Sequence, residues 1–589
     1  MSKSFRDRAG WPARRRGALA AACGLIGLAF LPGAWAQKVP VIEKTLPNGM
    51  RLLLVERRDD PTIAGGWVAH VGSANERPGI TGIAHLFEHM MFKGTPTIGT
   101  KNYQQDLEIM DSQEKLRSEM RIEEAKLRQA YRRGEIDDLL KPENRTERLK
   151  ELDKQFNQLI AQQREVLVKN EFDRVYTTAG ASGMNAFTST DLTGYFVTVP
   201  ANKLELWMWM ESGRLWRPVF REFYAERDVV FEERRMRTDS TPLGKFSESF
   251  ESLVWESHPY GWPTVGWPSD IPAITKAQAD EFYALYYAPQ NITLILVGDF
   301  RADAATQLAE KYFSRIPRGK AEPPDVVTLE VKQVAEKRMY AEAETNPQAD
   351  IVWHTVPFGH RDSYALNILA QILSTRTGRF YKGLVLGSQV ATEASAAPVH
   401  RKWAGLFNAS GEAKDGHAPE EVEQGIYAEI EKLKQAEVPP EELQKVKNNF
   451  AANEYRRLTS SMSILMQLIR NDGLGDWREI NEAGRKHQLV TSADIQRVAQ
   501  TYFTKENRCV GIYTRKAGKS AGDRPEPDGL SPQQKTTLAR IESETNLEKL
   551  QQALQHVQAP AGEADSPEAA FRNLFVKKLQ QRIAQLEKK

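Results

Sequence analysis

A chain of 589 residues with 41% hydrophobic and 27% charged side chains is globular in composition and long enough for several domains. Its formal charge is +2, but the first 36 residues hold six Lys/Arg and one Asp, so the remainder stands at −3 and no basic excess points to nucleic acid. Of two cysteines only Cys509 lies beyond residue 36, which excludes an internal disulfide or a multi-cysteine zinc site in that part.

Arg14-Arg15-Arg16, an apolar run from Gly17 to Leu31 and then Ala34-Trp35-Ala36 form a basic n-region, an h-region and a small-x-small cleavage site. They predict a secretory signal over residues 1–36, with Gln37 as the mature N-terminus. The mature chain is then expected in the periplasm with no membrane anchor, since the apolar run is too short for a span and meets Pro32. Lys44 to Glu56, with Pro47-Asn48-Gly49 inside it, reads as a hairpin turn feeding a strand; a second strand follows over Ala64 to Val71.

The next segment is Gly82-Ile83-Ala84-His85-Leu86-Phe87-Glu88-His89-Met90-Met91-Phe92-Lys93-Gly94. Thr81 suits an N-cap, the apolar residues give a mostly buried surround, and Gly94 suits a helix end. On a helix His85 and His89, four apart, project from one face, and Glu88 borders it. Two imidazoles at this spacing can take two corners of a zinc tetrahedron, and a carboxylate beside them can handle the proton of a water. The order H-x-x-E-H is that of the inverted zincins. The whole run from Gly79 to Thr95 resembles the zinc-binding segment of the pitrilysin family of metallopeptidases, which includes insulysin, the mitochondrial processing peptidases and bacterial homologues. The resemblance implies an α+β fold of two homologous α/β-sandwich halves in a clam-like arrangement, often paired with another chain.

From about Gln104 to Asn170 the chain is rich in Glu, Lys, Arg, Gln and Leu, and its apolar spacing predicts two long amphipathic helices. This 104–170 stretch reads as a helical hairpin inserted in the first half, either a solvated arm or a partner-binding one. Asn185-Ala186-Phe187-Thr188 resembles the family's Asn-Ala-aromatic-Thr segment, which implies an edge strand that binds substrate by β-addition; an ordinary sheet edge is the competing reading. Three carboxylates compete further on. Glu226 and Glu233 are seven apart and share a helix face, whereas Glu232 points about 100° from Glu233. The family pattern Glu-Arg-x-x-Val-x-x-Glu implies Glu233 as third zinc ligand and Glu226 as a supporting carboxylate. The interval from His89 to Glu233 exceeds the family's usual one, and the inserted hairpin accounts for most of the excess.

A helix is predicted over Lys276 to Tyr286 and a buried strand over Asn291 to Phe300. An echo sits 216 residues on: Thr275 through Tyr286 to Asn291 aligns with Thr491 through Tyr502 to Asn507. Pro317 to Pro324 suits a linker, Asp350 to Pro357 a strand, and Asp362 to Leu373 a helix. The expected organisation is a first, zinc-bearing half over 37–316, a second half without metal over 325–515, and a helical extension over 516–589 beginning helices at Ser531 and Ser566. No second H-x-x-E-H exists, so one Zn2+ per chain is expected. In some family members the second half supplies an Arg that grips substrate; Gly405 to Ala409 holds none, which leaves room for a partner chain to supply it.

These readings together imply a zinc endopeptidase. His85, His89 and Glu233 bind the metal, Glu88 is the general base supported by Glu226, and Asn185, Ala186, Phe187 and Thr188 hold peptide substrates. Homodimerisation, or pairing with a non-catalytic homologue, fits the family. The alternative is a non-catalytic or partner-dependent subunit of a heterodimeric complex.

Overall fold

A computed structural model describes residues 38–139 and 141–516, with scattered positions between 537 and 586. The signal expected over 1–36 and the helix starts at Ser531 and Ser566 lie outside the described residues.

The first half runs β1 (Ile42–Thr45), β2 (Arg51–Glu56), β3 (Thr62–Ala69), α1 (Ile83–Met90), α2 (Tyr103–Arg132), α3 (Glu147–Val166), α4 (Glu171–Thr178), β4 (Ser182–Thr188), β5 (Thr193–Pro200), α5 (Leu204–Trp216), α6 (Phe223–Arg234), α7 (Gly244–Val254), α8 (Lys276–Tyr286), β6 (Ile292–Gly298) and α9 (Ala302–Phe313). The second runs β7 (Lys337–Ala343), β8 (Gln348–Thr355), α10 (Arg361–Ser374), β9 (Ala391–His400), β10 (Gly405–Ala413), α11 (Pro419–Gln435), α12 (Pro440–Arg457), α13 (Ser461–Leu474), α14 (Glu479–Leu489), α15 (Ser492–Tyr502) and β11 (Arg508–Arg515).

The sheets have strand orders β1-β2-β6-β3-β5-β4 and β7-β11-β8-β10-β9. Without β1 the two orders correspond strand for strand. In each, the last strand pairs parallel with the first (β2 with β6, β7 with β11) and the other pairings are antiparallel. The echo 216 residues apart is also an echo of hydrogen bonds. Asn291 Nδ2 donates to the carbonyls of His70 and Tyr286, and Asn507 Nδ2 to those of His354 and Tyr502. Thr275 and Thr491 each cap the helix that follows in a reciprocal box with the residue three on.

The apolar runs of β2, β3 and β6 require both faces of the first sheet to be covered. Alternate residues Leu52, Leu54, Ile63, Trp67, Leu294 and Leu296 enter the core built with that half's own helices. The opposite set, among it Leu53, Val55, Val68, Ile295 and Val297, packs on Ile464, Leu465, Leu468 and Ile469 of α13, a helix of the second half. The second sheet is treated likewise: Val352, Leu406, Cys509 and Tyr513 meet Phe246, Phe250 and Val254 of α7, a helix of the first half. Thus each half lends the other a helix. Polar contacts follow the same seam, with buried Asp472 of α13 held by His70 at 2.9 Å and Arg51 at 2.8 Å.

The helices α2 and α3 form the expected hairpin, capped by Asn102 and Thr146 and closed by Met120 and Leu127 against Leu149, Leu152 and Phe156. Its ends are tied together where it leaves and returns: Lys101 N donates to Val166 O at 2.8 Å, and Val168 N to Gly99 O at 3.1 Å. Among the described residues no helix is long and apolar enough to cross a membrane.

Candidate metal centre

Helix α1 buries Ile83, Ala84, Leu86, Phe87 and Met90, with the Phe87 ring set among Phe220, Phe282, Tyr283 and Tyr287. That burial fixes the helix's rotation and leaves His85, Glu88 and His89 on the face toward α6 and β4. Thr81 is not the cap. Gly82 takes that position at φ 91°, and the buried Glu76 carboxylate accepts from Gly82 N at 2.9 Å and Ala84 N at 2.8 Å. Thr81 Oγ1 instead donates to Asp270. A glycine is required at 82, because a Cβ there would lie 2.5 Å from the Val265 carbonyl. The helix also ends earlier than Gly94, with Met90 as its last residue and Met91 as its C-cap.

Helix α6 brings in the carboxylates. Glu233 Oε1 lies 3.7 Å from His85 Nε2, and Glu233 Oε2 lies 3.3 Å from His89 Nε2. One ligand atom from each of the three residues falls within 4.8 Å of the others. Glu226, two turns earlier, accepts from His89 Nδ1 at 3.0 Å, and its other oxygen meets Lys93 Nζ at 2.5 Å. Glu232 is exposed and pairs with Arg235. Two imidazole nitrogens and one carboxylate are the donor set of a zinc site with an open position, and a carboxylate on the far nitrogen of a ligand histidine fixes its tautomer. The residues therefore fit zinc. His85 Nδ1 is buried with no protein partner, so its Nε2 is the nitrogen turned to the cluster.

Strand β4 is the free edge of the first sheet and lies beside α1. Its Thr188 Oγ1 donates to Glu88 Oε2 at 2.7 Å. Asn185 is exposed, Ala186 is buried, and Phe187 packs over Gly194. A cleft of about 450 Å3 opens here, bordered by Glu88, His89, Phe92, Lys93, Asn185 and Ala186.

Burial lowers the His85 pKa to about 3, helped by His89 and Arg237, so its ring is neutral with a free lone pair at physiological pH. Burial also acts to lower that of His89, but the Glu226 hydrogen bond and the charges of Glu226, Glu233 and Glu88 outweigh it and raise the value. Glu226 is pressed upward by burial and pulled down further by His89 and Lys93, to about 2. Glu88 is raised by burial, in part against the Thr188 hydrogen bond and His89.

Several residues of the site carry no motif. Arg221, fully buried, donates to Asp106 Oδ2 at 2.6 Å and to the carbonyls of Lys93, Thr95 and Ile98. It thereby joins the turn after α1 to the base of the hairpin. Its partners lie more than a hundred residues away, so nothing local in the sequence marks it. Lys93 sits in the motif run but shows its role only against Glu226. Arg237, exposed, reaches Glu233 Oε1 at 2.5 Å. His70 and His258 are remote from the cluster; His258 packs on Tyr260 and accepts from its backbone N–H.

Residues 51–125 match the family model described as insulinase (peptidase family M16), and residues 273–450 match that of the peptidase M16 inactive domain. The zinc protease PqqE of Helicobacter pylori is 27% identical over 484 residues, covering 80% of this chain and 92% of that protein. The crystal structure of a protease from Helicobacter pylori superposes with TM-score 0.66 at 22% identity, covering 81% of this chain and all of that one. The first half of the periplasmic protease PqqL from Escherichia coli gives TM-score 0.60 at 17% identity, covering 81% of this chain and 92% of that one. The two matched models follow one another along the chain in the order of its two halves and, with relatives named as zinc proteases, support peptidase family M16.

Proposed function

We propose that this protein is a zinc-dependent endopeptidase that hydrolyses peptides or short unfolded proteins in the periplasm. The observation that carries the reading is the convergence of His85, His89 and Glu233 within 4.8 Å, with Glu88 on the same helix face and linked through Thr188 to a free sheet edge. Zinc bound by the three ligands supplies a Lewis acid that polarises a peptide carbonyl and acidifies water. The chain's own groups do the rest. An extended peptide adds to the edge of β4 through its backbone, which grips without demanding a particular side chain. Glu88, raised by burial, takes the proton of the attacking water on a carboxylate oxygen and passes it to the leaving amide nitrogen. Glu226 holds His89 in one tautomer, and Lys93 holds Glu226 ionised. Periplasmic location is supported by the signal-like first 36 residues and by the description of the PqqL relative.

The test is metal content and cleavage of a quenched peptide library by the purified chain beside Glu88→Gln. Zinc in both, with turnover reduced about 10²–10⁴-fold in the variant, is the expected result. Absence of zinc from both proteins would sink the reading. A partner-dependent subunit is the second reading, favoured by the lack of arginine along β10. It predicts zinc in the wild type with cleavage only when a second chain, a copy or a homologue, is present.

A further inference from the structure

We infer that the returning base of the inserted hairpin, Leu167–Asn170, is the specificity wall of this site: it limits the side chain accepted next to the scissile bond. The inference rests on the peptidase reading. The cleft beside His89 and Glu88 has Phe92 and Lys93 on one side and the β4 edge on another. It is bordered further by Glu222 and Glu226 and, over its longest continuous stretch, by the segment that follows α3, from Leu167 through Phe172. Side chains of an extended peptide alternate in direction, so a peptide on β4 sends one side chain beside the reacting bond into this cleft.

The polar groups on the inner walls already hold one another. Lys93 pairs with Glu226 and, at 3.4 Å, with Glu222. Glu171 accepts from Gly99 N at 2.6 Å, and Arg221 spreads over Asp106 and three carbonyls. Contact with a guest is left to the shape of the wall, above all half-buried Val168, and to the exposed Lys169 at its rim. The wall is also fixed in place. Its backbone is tied to Gly99 and Lys101, and Asp106 at the start of α2 is gripped by Arg221 and by Gln163 at 2.9 Å. Rigid support of this kind is what lets a wall discriminate. The hairpin is thus a selector as well as an arm.

The experiment compares the full zinc-loaded chain with Val168→Trp and Lys169→Glu, using quenched peptides that vary one residue on either side of the cut. The same peptides are titrated by fluorescence anisotropy into each wall variant carrying Glu88→Gln. Val168→Trp is expected to lower kcat/KM for peptides with Phe or Leu at one position by about 10-fold or more relative to those with Ala there. Lys169→Glu, a surface change that leaves folding intact, is expected to turn preference at that position from acidic toward basic residues. An unchanged profile, or a uniform loss in both variants while the wild type cleaves, overturns the wall and leaves the peptidase standing. Absent cleavage with anisotropy that still separates the variants by side chain keeps the wall and removes the peptidase. Neither cleavage nor binding overturns both.

Discussion

At the scale of single residues, the centre depends on a chain of contacts that runs outward from the ligands. Glu226→Gln keeps the size of the side chain and removes the charge that orients His89, so it is expected to weaken zinc binding about 10–100-fold, measured by competition with a chelator dye. Protons compete for the same nitrogen. His89 titrates above the ordinary 6.5 because Glu226, Glu233 and Glu88 outweigh its burial, whereas His85 stays neutral down to about 3. Zinc affinity should therefore fall on acidification, starting above pH 6.5 and losing on the order of tenfold per pH unit, one proton's worth. The apo fold responds in the opposite sense: the raised His89 value stabilises it below pH 6.5, and that contribution fades as pH rises through the folded pKa. A flat zinc affinity between pH 5 and 8 would contradict this assignment. The residues that converge in the cluster were legible because helical spacing acts within a few residues: His85 with His89, and Glu226 with Glu233, each share a face by arithmetic. Choosing Glu233 over Glu232 needed the family pattern as well. Arg221 and Glu76 were not legible, since a buried arginine or a capping carboxylate is identified only by partners brought from elsewhere.

At the scale of elements, the inserted hairpin is anchored through one buried ion pair. Arg221→Met would leave Asp106 charged and buried without its partner, a loss of about 3–5 kcal/mol read as a lower thermal midpoint. The double change Arg221→Met with Asp106→Leu should recover much of it, because an apolar pair removes both desolvation costs. Elements with a strong period were readable in advance. The helix expected over Lys276 to Tyr286 is α8 at the same ends, and the strand expected over Asn291 to Phe300 is β6 with its ends trimmed. Strand β7 (Lys-Arg-Met-Tyr-Ala-Glu-Ala) escaped notice. As a sheet edge with one half-covered face it carries little apolar signal, and its place is set by parallel pairing with β11, 172 residues later at Lys337 and Cys509.

At the scale of the whole molecule, the halves are joined by more than the linker. Leu468 of α13 is fully buried against the first half's sheet, and Leu468→Ala should cost about 2–5 kcal/mol. Because the lost contact belongs to both halves, calorimetry should show one transition shifted downward rather than two transitions of which one moves. Periodicity announced that strands such as Ile-Thr-Leu-Ile-Leu-Val-Gly needed cover on both faces, but it could not say that the cover comes from the other half. The exchange of α7 and α13 has a further consequence. Two similar units that trade one element are arranged as in a domain-swapped dimer, here with the two protomers fused into one chain. Cut at the linker, each unit would keep a helix shaped for a stranger and bare a sheet face shaped for its counterpart's helix. The fusion therefore does more than tether: it guarantees that each unit finds its own unlike mate, and it frees one copy to drop the metal residues while the other retains them.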